Sequence, residues 1–420
     1  MSVGLRIVEV GAHGDGVALE EGRRSFVPFA LPGELVRPGP KLEILEPSSE
    51  RQVPACGHFG TCGGCTLQHW RPEPYAAWKR GLIETALRRA GVEPPAFDPI
   101  LIAGPGERRR ADFALERHGR RAIAGFHERG SHRVVDVTAC PVVDPAIQRA
   151  LAALREVVPA LIADGARLDA AVNLTDTGLD VLLKPRKPAT LSLEQRQRAV
   201  ALAEAGDVAR LSWRERRAAE PLAVRRVPRL VWGDVTVEPP PGAFLQATRG
   251  AEAAMRAAIA AWLGDAEPLA DLFAGVGALS LGRPGRVHLF ESDPDAIAAV
   301  AAAGRRLGGG RVVAQHRDLF RVPLQAAELR PFAALLLDPP RAGAAAQAAG
   351  FAAAGPPLVV YASCDPASFA RDAATLVAGG YRLERLRPID QFLWSAHVEL
   401  IALFRRPSVR SRGVSGGKKT

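Results

Sequence analysis

The chain lacks the features of membrane proteins and of small disulfide-stabilised proteins. Its 420 residues contain no uncharged apolar run of about eighteen residues, the length that a membrane-spanning helix needs. The N-terminus reaches Arg6 and Glu9 before the apolar core of a signal peptide could be complete. Cysteine is scarce, with five residues, and three of them lie within ten positions, which favours a metal or cluster site over a disulfide framework. We therefore expect a cytoplasmic protein that folds without disulfide bonds.

Acidic residues are outnumbered by basic ones, which indicates an acidic partner. The formal net charge is +10, and residues 405–420 carry six Lys or Arg and no acid. That tail is interpreted either as a solvated end or as an arm that contacts phosphates. Further basic clusters occur at 106–113, 127–133 and 213–217. Together they favour a polyanion over a small neutral substrate.

The pattern of apolar residues divides the chain into three regions and a tail. Residues 1–48 read as short strands separated by Gly-rich turns, which predicts a small β domain. Residues 49–235 read as a central α+β region, with a helix at 76–91 and a hairpin about Asp176, Thr177 and Gly178. From 236 to 406 apolar strands alternate with Ala-rich helices, which predicts a doubly wound, Rossmann-like α/β domain. Residues 407–420 form the basic tail.

Four of the five cysteines have the pattern of a metal or cluster site. The stretch "CGHFGTCGGC" holds Cys56, Cys62 and Cys65, and Cys140 follows 75 residues after Cys65. Glycines let the backbone curl around a metal, and a distant fourth thiolate closes the coordination sphere. Four sulfurs suit either Zn or a [4Fe-4S] cluster, and the nearby His58 and His69 keep a Zn site open.

A glycine-containing turn predicts a nucleotide-like ligand. In "LADLFAGVGALSL" (269–281) a strand that ends near Asp271 is followed by Gly275 and Gly277, and a helix is expected next. Ser280 stands where a dinucleotide fingerprint would need a third glycine. S-adenosylmethionine carries no pyrophosphate and needs less of that cradle. Glu291, at the end of the next strand, can accept hydrogen bonds from ribose hydroxyls, and Asp318 follows the third strand, where an adenine amine would lie.

The stretch "ALLLDPPRAG" (334–343) predicts a rigid wall at the edge of the sheet. An apolar strand delivers Asp338, and the two prolines after it fix the backbone. An aromatic residue after D-P-P would suggest methylation of an exocyclic amine, but this chain has Arg341 there. A turn without a role is the alternative interpretation.

Cys364 stands where a nucleophile would act. In "PLVVYASC" it follows a strand end, at the carboxyl edge where doubly wound sheets bind ligands. Addition of a thiolate to C6 of uracil makes C5 a nucleophile able to take a methyl group, and a base must then remove the C5 proton. Glu399 lies in a strand-like run near the C-terminus, and from the residues alone an exposed surface charge is the favoured interpretation of it.

The ordered motifs resemble one family. "CGHFGTCGGC", "GAFLQAT", "DLFAGVG", "LLLDPPRAG", "SCDPASFARD" and "HVE" are similar to those of the S-adenosylmethionine-dependent RNA uracil-5-methyltransferases, and the resemblance extends to about residue 406. The N-terminal "VGAHGDGVA" and "FVPFALPGE" are similar to the family's TRAM β-barrel, although the segment after "PGE" is short. The chain departs from the family pattern at Asp365, Ser368, Leu393 and Ala278.

The resemblance implies a set of site residues. Cys364 would be the nucleophile and Glu399 the base. Seven residues would surround S-adenosylmethionine: Gln246, Phe273, Gly275, Ala278, Glu291, Asp318 and Asp338. The four clustered cysteines, Cys56, Cys62, Cys65 and Cys140, would hold a [4Fe-4S] cluster, as in the ribosomal-RNA branch of the family.

The expected function is formation of 5-methyluridine in RNA, with 23S ribosomal RNA favoured over transfer RNA as substrate. We expect a monomer that binds RNA and no membrane. Three alternatives stay open: a transfer-RNA uracil-5-methyltransferase, an enzyme that methylates another RNA atom with Cys364 structural, and an Fe–S RNA-binding protein without activity.

Overall fold

The N-terminal region is a five-stranded antiparallel sheet. The computed structural model of the protein describes residues 4–39 and 41–407. The strands are β1 (Leu5–Val10), β2 (Gly16–Glu20), β3 (Arg23–Val27), β4 (Leu35–Arg37) and β5 (Glu43–Glu46), in the order β3-β2-β1-β4-β5. Its small core includes Ile7, Val27 and Val36. The predicted β-rich start is confirmed over the described residues, and the TRAM-like barrel stays a prediction.

A helix and a short strand follow the cysteine segment. Helix α1 (Pro72–Arg89) begins with a proline at its first position, where the missing N–H is not needed, and β6 (Leu101–Ile102) follows. The helix predicted at 76–91 is therefore confirmed and begins four residues earlier. Its side chains Ile83 and Leu87 are buried in the core of the C-terminal sheet.

The central region is a seven-stranded sheet with two helices packed on it. Its elements are β7 (Arg110–His118), β8 (Arg121–His127), β9 (Val134–Asp136), α2 (Pro145–Leu161), β10 (Arg167–Thr175), β11 (Gly178–Pro185), α3 (Leu193–Ala205), β12 (Val208–Trp213) and β13 (Glu220–Val224). The strand order is β13-β12-β11-β10-β7-β8-β9. Strands β10 and β11 pair down to Thr175 and Gly178, which confirms the predicted hairpin.

The C-terminal region consists of a doubly wound eight-stranded sheet with its helices and a separate two-stranded hairpin. Its elements are β14 (Leu230–Trp232), β15 (Val235–Val237), α4 (Arg249–Leu263), β16 (Leu269–Leu272), β17 (Val287–Glu291), α5 (Pro294–Leu307), β18 (Val312–His316), α6 (Ala326–Leu329), β19 (Ala334–Leu337), α7 (Ala345–Ala354), β20 (Leu358–Ser363), α8 (Pro366–Ala378), β21 (Arg382–Asp390) and β22 (Glu399–Arg405). The order is β18-β17-β16-β19-β20-β22-β21-β6, with β22 antiparallel to both neighbours. The predicted α/β alternation is confirmed.

The glycine turn after β16 departs from the prediction. Residues 275–282 form a series of turns, and the helix expected there is absent. Gly277 and Gly282 have φ values of 82° and 77°, which a right-handed helix cannot accommodate. A Cβ on Gly282 would lie 2.2 Å from the carbonyl oxygen of Trp232, so the chain presses against β14 at this point. The turn is therefore held by tight packing.

Besides α1, two further segments that the sequence assigned to the central region pack with the C-terminal sheet. Strand β6 pairs with β21 at its edge, and Trp232 and Val235 of the β14–β15 hairpin lie in the core that contains β16 and α4. The domain limits at 48, 235 and 406 stay predictions, and the basic tail from 408 onward lies outside the described residues. Among the described helices, none is long and apolar enough to cross a membrane.

Candidate active site

The carboxyl edge of the C-terminal sheet gathers the predicted site residues. Glu291 is the last residue of β17, and Asp338 and Cys364 directly follow β19 and β20. Because β16 to β20 run parallel, these residues meet at the same edge. From β16 the sheet extends through β17 and β18 on one side and through β19 and β20 on the other. Doubly wound sheets form ligand crevices at such a switch in strand order.

The turn after β16 leaves room beside Glu291. Phe273 and Gly275 have positive φ values of 60° and 55°, and a Cβ on Gly275 would meet no atom within 4 Å. The Glu291 carboxylate accepts hydrogen bonds from the Gly275 N–H at 2.9 Å and from the N–H groups of Ser292 and Asp293 at 2.7 and 2.8 Å. This carboxylate is thereby fixed at the mouth of the turn.

Two aromatic rings, one after β16 and one after β18, lie against each other near this turn. The ring centroids of Phe273 and Phe320 are 5.3 Å apart, and Phe320 is 53% exposed. The Asp318 carboxylate accepts a hydrogen bond from the Phe320 N–H at 3.0 Å, which fixes the start of the turn after β18. The carbonyl of Ala278 accepts a hydrogen bond from Arg256. Sequence analysis missed Phe320, although it lies two residues after Asp318.

A chain of hydrogen bonds joins Asp338 to Glu399. Gln246 Nε2 donates to Asp338 Oδ2 at 2.8 Å, and Gln391 Nε2 donates to both Gln246 Oε1 and Glu399 Oε2 at 2.9 Å. Gln391 Oε1 accepts from the Ala247 N–H at 2.8 Å. Gln391 was missed by sequence analysis, because nothing in the pattern distinguishes an amide that bridges two site residues.

Glu399 is buried, which corrects its residue-based interpretation as a surface charge. It is 3% exposed and is the first residue of β22, which lies between β20 and β21. Burial raises the pKa of Glu399 to about 8, and the charge of Asp338 adds to this shift. Burial also raises the pKa of Asp338 to about 6. Glu399 is thus a carboxyl group poised to exchange a proton near neutral pH.

Cys364 lies beside this chain. The register Ser363↔Leu400 between β20 and β22 places Cys364, the residue after β20, alongside Glu399. Burial raises the pKa of the Cys364 thiol to about 12, the charges of Glu399 and Asp338 add to the shift, and the Arg341 guanidinium opposes it. Arg341 lies 3.0 Å from His397 Nε2. The thiol, the carboxyl groups and one guanidinium therefore share a single site.

The four clustered cysteines line one cavity. A cavity of about 280 Å³ is lined by Cys56, Cys62, Cys65 and Cys140. Residues of the loop 391–398, which precedes Glu399, also line it. Burial raises the pKa of the thiols of Cys62, Cys65 and Cys140. The structure thus brings the predicted ligand set together. Within residues 4–39 and 41–407, no group of three or more His, Cys, Asp or Glu side chains has the geometry of a metal-ion site.

The two histidines of this region differ in position. His69 is fully buried, and its ring packs 5.3 Å from that of Phe59 and 6.2 Å from that of Phe29. Burial lowers the pKa of His69 to about 3. His58 lines the cysteine cavity, and its Nε2 lies 3.3 Å from the Thr138 N–H. His69 is therefore a packing residue of an aromatic cluster.

Comparison with known proteins places the chain among RNA methyltransferases. A family model described as tRNA (uracil-5-)-methyltransferase matches residues 310–406. An uncharacterised RNA methyltransferase of Brucella suis is 43% identical over 96% of this chain and 97% of its own. The 23S rRNA (uracil(1939)-C(5))-methyltransferase RlmD of Chromohalobacter salexigens is 34% identical over 98% of this chain and 91% of its own. The chain belongs to the RNA uracil-5-methyltransferase family.

The fold of this methyltransferase resembles a solved structure over nearly its whole length. The Pyrococcus abyssi tRNA (uracil-54, C5)-methyltransferase, in complex with S-adenosyl-L-homocysteine, superposes with a TM-score of 0.72, covers 96% of this chain and 99% of its own, and is 21% identical. At that identity the likeness concerns the fold, and it spans all three regions.

Proposed function

We propose that this methyltransferase forms 5-methyluridine in RNA and uses S-adenosylmethionine as methyl donor. The observation that carries the proposal is the meeting of Cys364, Asp338 and Glu399 at the carboxyl edge of the doubly wound sheet. A nucleophilic thiol beside a buried carboxyl group supplies both groups that methylation of C5 requires.

Cys364 begins the reaction. Its sulfur bonds to C6 of a uracil ring that has been flipped out of the RNA, and the electrons of the C5–C6 double bond make C5 nucleophilic. S-adenosylmethionine, when bound, supplies the methyl group that C5 takes. The Arg341 guanidinium favours the thiolate form of Cys364, against the burial that disfavours it.

Glu399 ends the reaction. Its carboxylate accepts the proton from C5, the C5–C6 double bond forms again, and the bond between C6 and Cys364 breaks. The Gln391 amide donates to Glu399 Oε2 and fixes the direction of that carboxylate. Asp338, held by Gln246, orients the uracil ring.

The turn after β16 fits S-adenosylmethionine. Space lies open beside Gly275, and the Glu291 carboxylate stands at the mouth of the turn for the ribose hydroxyls. Phe273, Ala278 and Asp318 would complete the adenosine side, and Gln246 and Asp338 the side of the reacting methyl group. The open space at Gly275 supports this assignment.

The four cysteines fit a [4Fe-4S] cluster, which we assign to Cys56, Cys62, Cys65 and Cys140. Their sulfurs share one cavity, and four thiolates are the usual ligands of such a cluster. In the bound state the cluster would brace the RNA-binding surface and take no part in methyl transfer. Anaerobic purification followed by iron, sulfide and zinc analysis tests the assignment, and one zinc ion without sulfide would overturn it.

Ribosomal RNA is the substrate that we favour. The relative of Chromohalobacter salexigens acts on 23S rRNA, and its identity to this chain exceeds that of the structural neighbour that acts on tRNA. In this proposal residues 1–48 and the central region 49–235 hold the folded RNA, and 236–406 carry out the chemistry. We propose a monomer in the cytoplasm, with the tail at 407–420 as an additional basic segment.

An adduct experiment tests the reaction. The purified protein is incubated with S-adenosylmethionine and fluorouridine-substituted transcripts of 23S rRNA or tRNA, and the products are analysed by mass spectrometry. Fluorine at C5 cannot leave as a proton does, so an adduct on Cys364 that carries one added methyl group is expected. Methyl transfer to RNA without any adduct would show that another atom is methylated.

A further inference from the structure

Helix α1 carries two polar side chains that are buried next to the loop before Glu399. Tyr75 and Lys79 are one helical turn apart, and they are 2% and 0% exposed. The next residues on the same face, Ile83 and Leu87, enter the apolar core of the C-terminal sheet. Burial of an ammonium group costs free energy unless it is paired, so the partner of Lys79 accounts for its presence.

The partner is Asp390, the last residue of β21. Lys79 Nζ lies 2.7 Å from Asp390 Oδ1, and both side chains are fully buried. The Tyr75 hydroxyl donates to the other carboxylate oxygen, Oδ2. The Phe392 N–H also donates to Oδ1, at 3.2 Å. Both carboxylate oxygens of Asp390 are thus satisfied, which favours a single conformation at this point.

Tyr75 and Lys79 also hold the backbone of the loop that follows. The Tyr75 oxygen accepts a hydrogen bond from the Trp394 N–H at 2.9 Å. Lys79 Nζ donates to the carbonyl of His397, two residues before Glu399. Two side chains of one helix therefore fix the loop at its beginning, its middle and its end.

The cysteine segment holds the same loop from the other side. The N–H groups of Thr66 and Leu67, which directly follow Cys65, donate to the Trp394 carbonyl at 2.8 and 3.0 Å. Trp394 has a φ of 59°, a left-handed conformation that costs a bulky residue about 1 kcal/mol or more. Contacts with α1 and with the cysteine segment hold Trp394 in that conformation.

We infer that Tyr75, Lys79 and Asp390 are positioning residues for proton removal by Glu399. This inference rests on the proposed function. The segment that they fix begins next to Gln391 and ends at Glu399, and those two side chains must meet for the Gln391 amide to direct the carboxylate. A displacement of about 1 Å in such a segment costs about a hundredfold in rate. Cys364 directly follows β20, a different element, so its addition to C6 should depend less on the loop than proton removal by Glu399 does.

A looser loop should slow the second half of the reaction. Loosening the loop should slow proton removal and release of the methylated RNA, whereas bond formation between Cys364 and C6 should continue. The fraction of RNA held as covalent adduct during turnover should therefore rise. A purely structural role of Tyr75 would lower the amount of folded protein and leave that fraction unchanged.

The test compares Tyr75→Phe with Tyr381→Phe in the full chain. Tyr75→Phe removes only the hydroxyl that contacts Asp390 and Trp394. Tyr381 is equally buried, donates its hydroxyl to the Pro356 carbonyl, and precedes the other end of β21. Rapid quenching with methyl-labelled S-adenosylmethionine and an unmodified 23S rRNA transcript, with tRNA transcripts in parallel, gives adduct and free product separately.

For Tyr75→Phe we expect adduct formation within about twofold of wild type and product release about tenfold slower. For Tyr381→Phe we expect no change in either step. Equal effects of the two substitutions on release, or an unchanged adduct fraction in Tyr75→Phe, would overturn the inference. Absence of both adduct and methylated RNA with the wild-type protein would instead reject the proposed function.

A double variant tests the ion pair without leaving a lone charge. Lys79→Met together with Asp390→Asn removes both charges and leaves an oxygen that can accept from Tyr75. We expect this variant to fold and to accumulate adduct as Tyr75→Phe does, because the contact with the His397 carbonyl is lost. Wild-type release kinetics in a folded double variant would contradict the role assigned to Lys79.

Discussion

At the scale of single residues, Glu399 couples the chemistry of the site to protein stability. Its pKa rises from 4.5 to about 8 on folding, because the carboxyl group is buried. Between these two pH values the folded state binds more protons at this site than the unfolded state does. The free energy of unfolding is therefore larger at low pH. The part of it that depends on Glu399 decreases as pH rises from about 4.5 to about 8.

Glu399→Gln should remove this pH dependence while keeping an oxygen for the Gln391 amide. We expect wild type to lose about 1–3 kcal/mol of unfolding free energy, relative to the variant, between about pH 5 and pH 9. Urea unfolding at both pH values measures the difference. The difference reports Glu399 together with its interaction with Asp338, because the charge of Asp338 contributes to the raised pKa of Glu399. If the unfolding free energies of wild type and variant changed in parallel with pH, Glu399 would not be the group that titrates.

Glu399→Gln should also change the reaction. With uridine-containing RNA, the variant should accumulate the covalent adduct, because the C5 proton is not removed.

Cys364 is expected to serve catalysis alone. Cys364→Ala removes the sulfur that bonds to C6, whereas the turn after β16 and the Glu291 carboxylate remain in place. Methyl transfer should fall below detection, and the affinity for S-adenosylmethionine measured by calorimetry should stay within about twofold of wild type. A comparable loss of both would mean that the thiol supports the cofactor crevice.

At the scale of elements, the turn after β16 depends on glycine at a packed position. A Cβ on Gly277 would lie 2.5 Å from Leu281 Cδ1, and φ there is 82°. Gly277→Ala should therefore cost about 2–4 kcal/mol and weaken S-adenosylmethionine binding. Gly119→Ala is the matched control, since φ there is 60° and a Cβ would meet no atom within 4 Å. It should cost about 1 kcal/mol, and equal losses for both would contradict the role of packing.

The sequence predicted some elements well for physical reasons that are local. The strands of the doubly wound sheet are short apolar runs, such as Ala334–Leu337, and their alternation with helices fixes a parallel arrangement. The helix expected after Gly277 failed because the close approach of Gly282 to Trp232 is a contact between distant parts of the chain. No local pattern encodes such a contact.

In the candidate site, too, local sequence patterns predicted some residues, whereas residues that depend on distant contacts were missed. Residues directly after strands, such as Asp338 and Cys364, were placed by topology alone. The burial of Glu399 was not predictable from alternation, because both faces of β22 are buried: every residue from 399 to 404 is buried, so exposure does not alternate along the strand. Gln391 and Tyr75 were missed because their roles come from hydrogen bonds to residues far along the chain. The sequence therefore revealed the reacting groups and left out most of what orients them.

At the scale of the whole molecule, a buried ion pair joins the central sheet to the C-terminal region. Arg109, just before β7, pairs with Glu252 of α4, and the two side chains are 3% and 8% exposed. Arg109 Nε also donates to the Gln246 carbonyl at 3.1 Å. The Glu252 carboxylate accepts a second hydrogen bond from Trp232 Nε1 at 2.7 Å. The pair thus lies where the two regions meet and directly supports Gln246.

Arg109→Met should therefore weaken the fold and the site together. Loss of one partner leaves the Glu252 carboxylate buried without its countercharge, which should cost about 3–5 kcal/mol in urea unfolding. Adduct formation with fluorouridine-substituted RNA should slow as well, because Gln246 loses its support.

The exposed pair Arg196–Glu220 provides the control, since its side chains are 36% and 55% exposed. Arg196→Met should cost less than about 1 kcal/mol and leave adduct formation unchanged. Replacing both partners of the buried pair, as Arg109→Met with Glu252→Leu, should recover much of the stability, because no unpaired charge remains. Adduct formation should stay slow in that double variant, since the hydrogen bond to the Gln246 carbonyl is still missing. Recovery of stability together with full adduct formation would show that the pair joins the two regions without positioning the site.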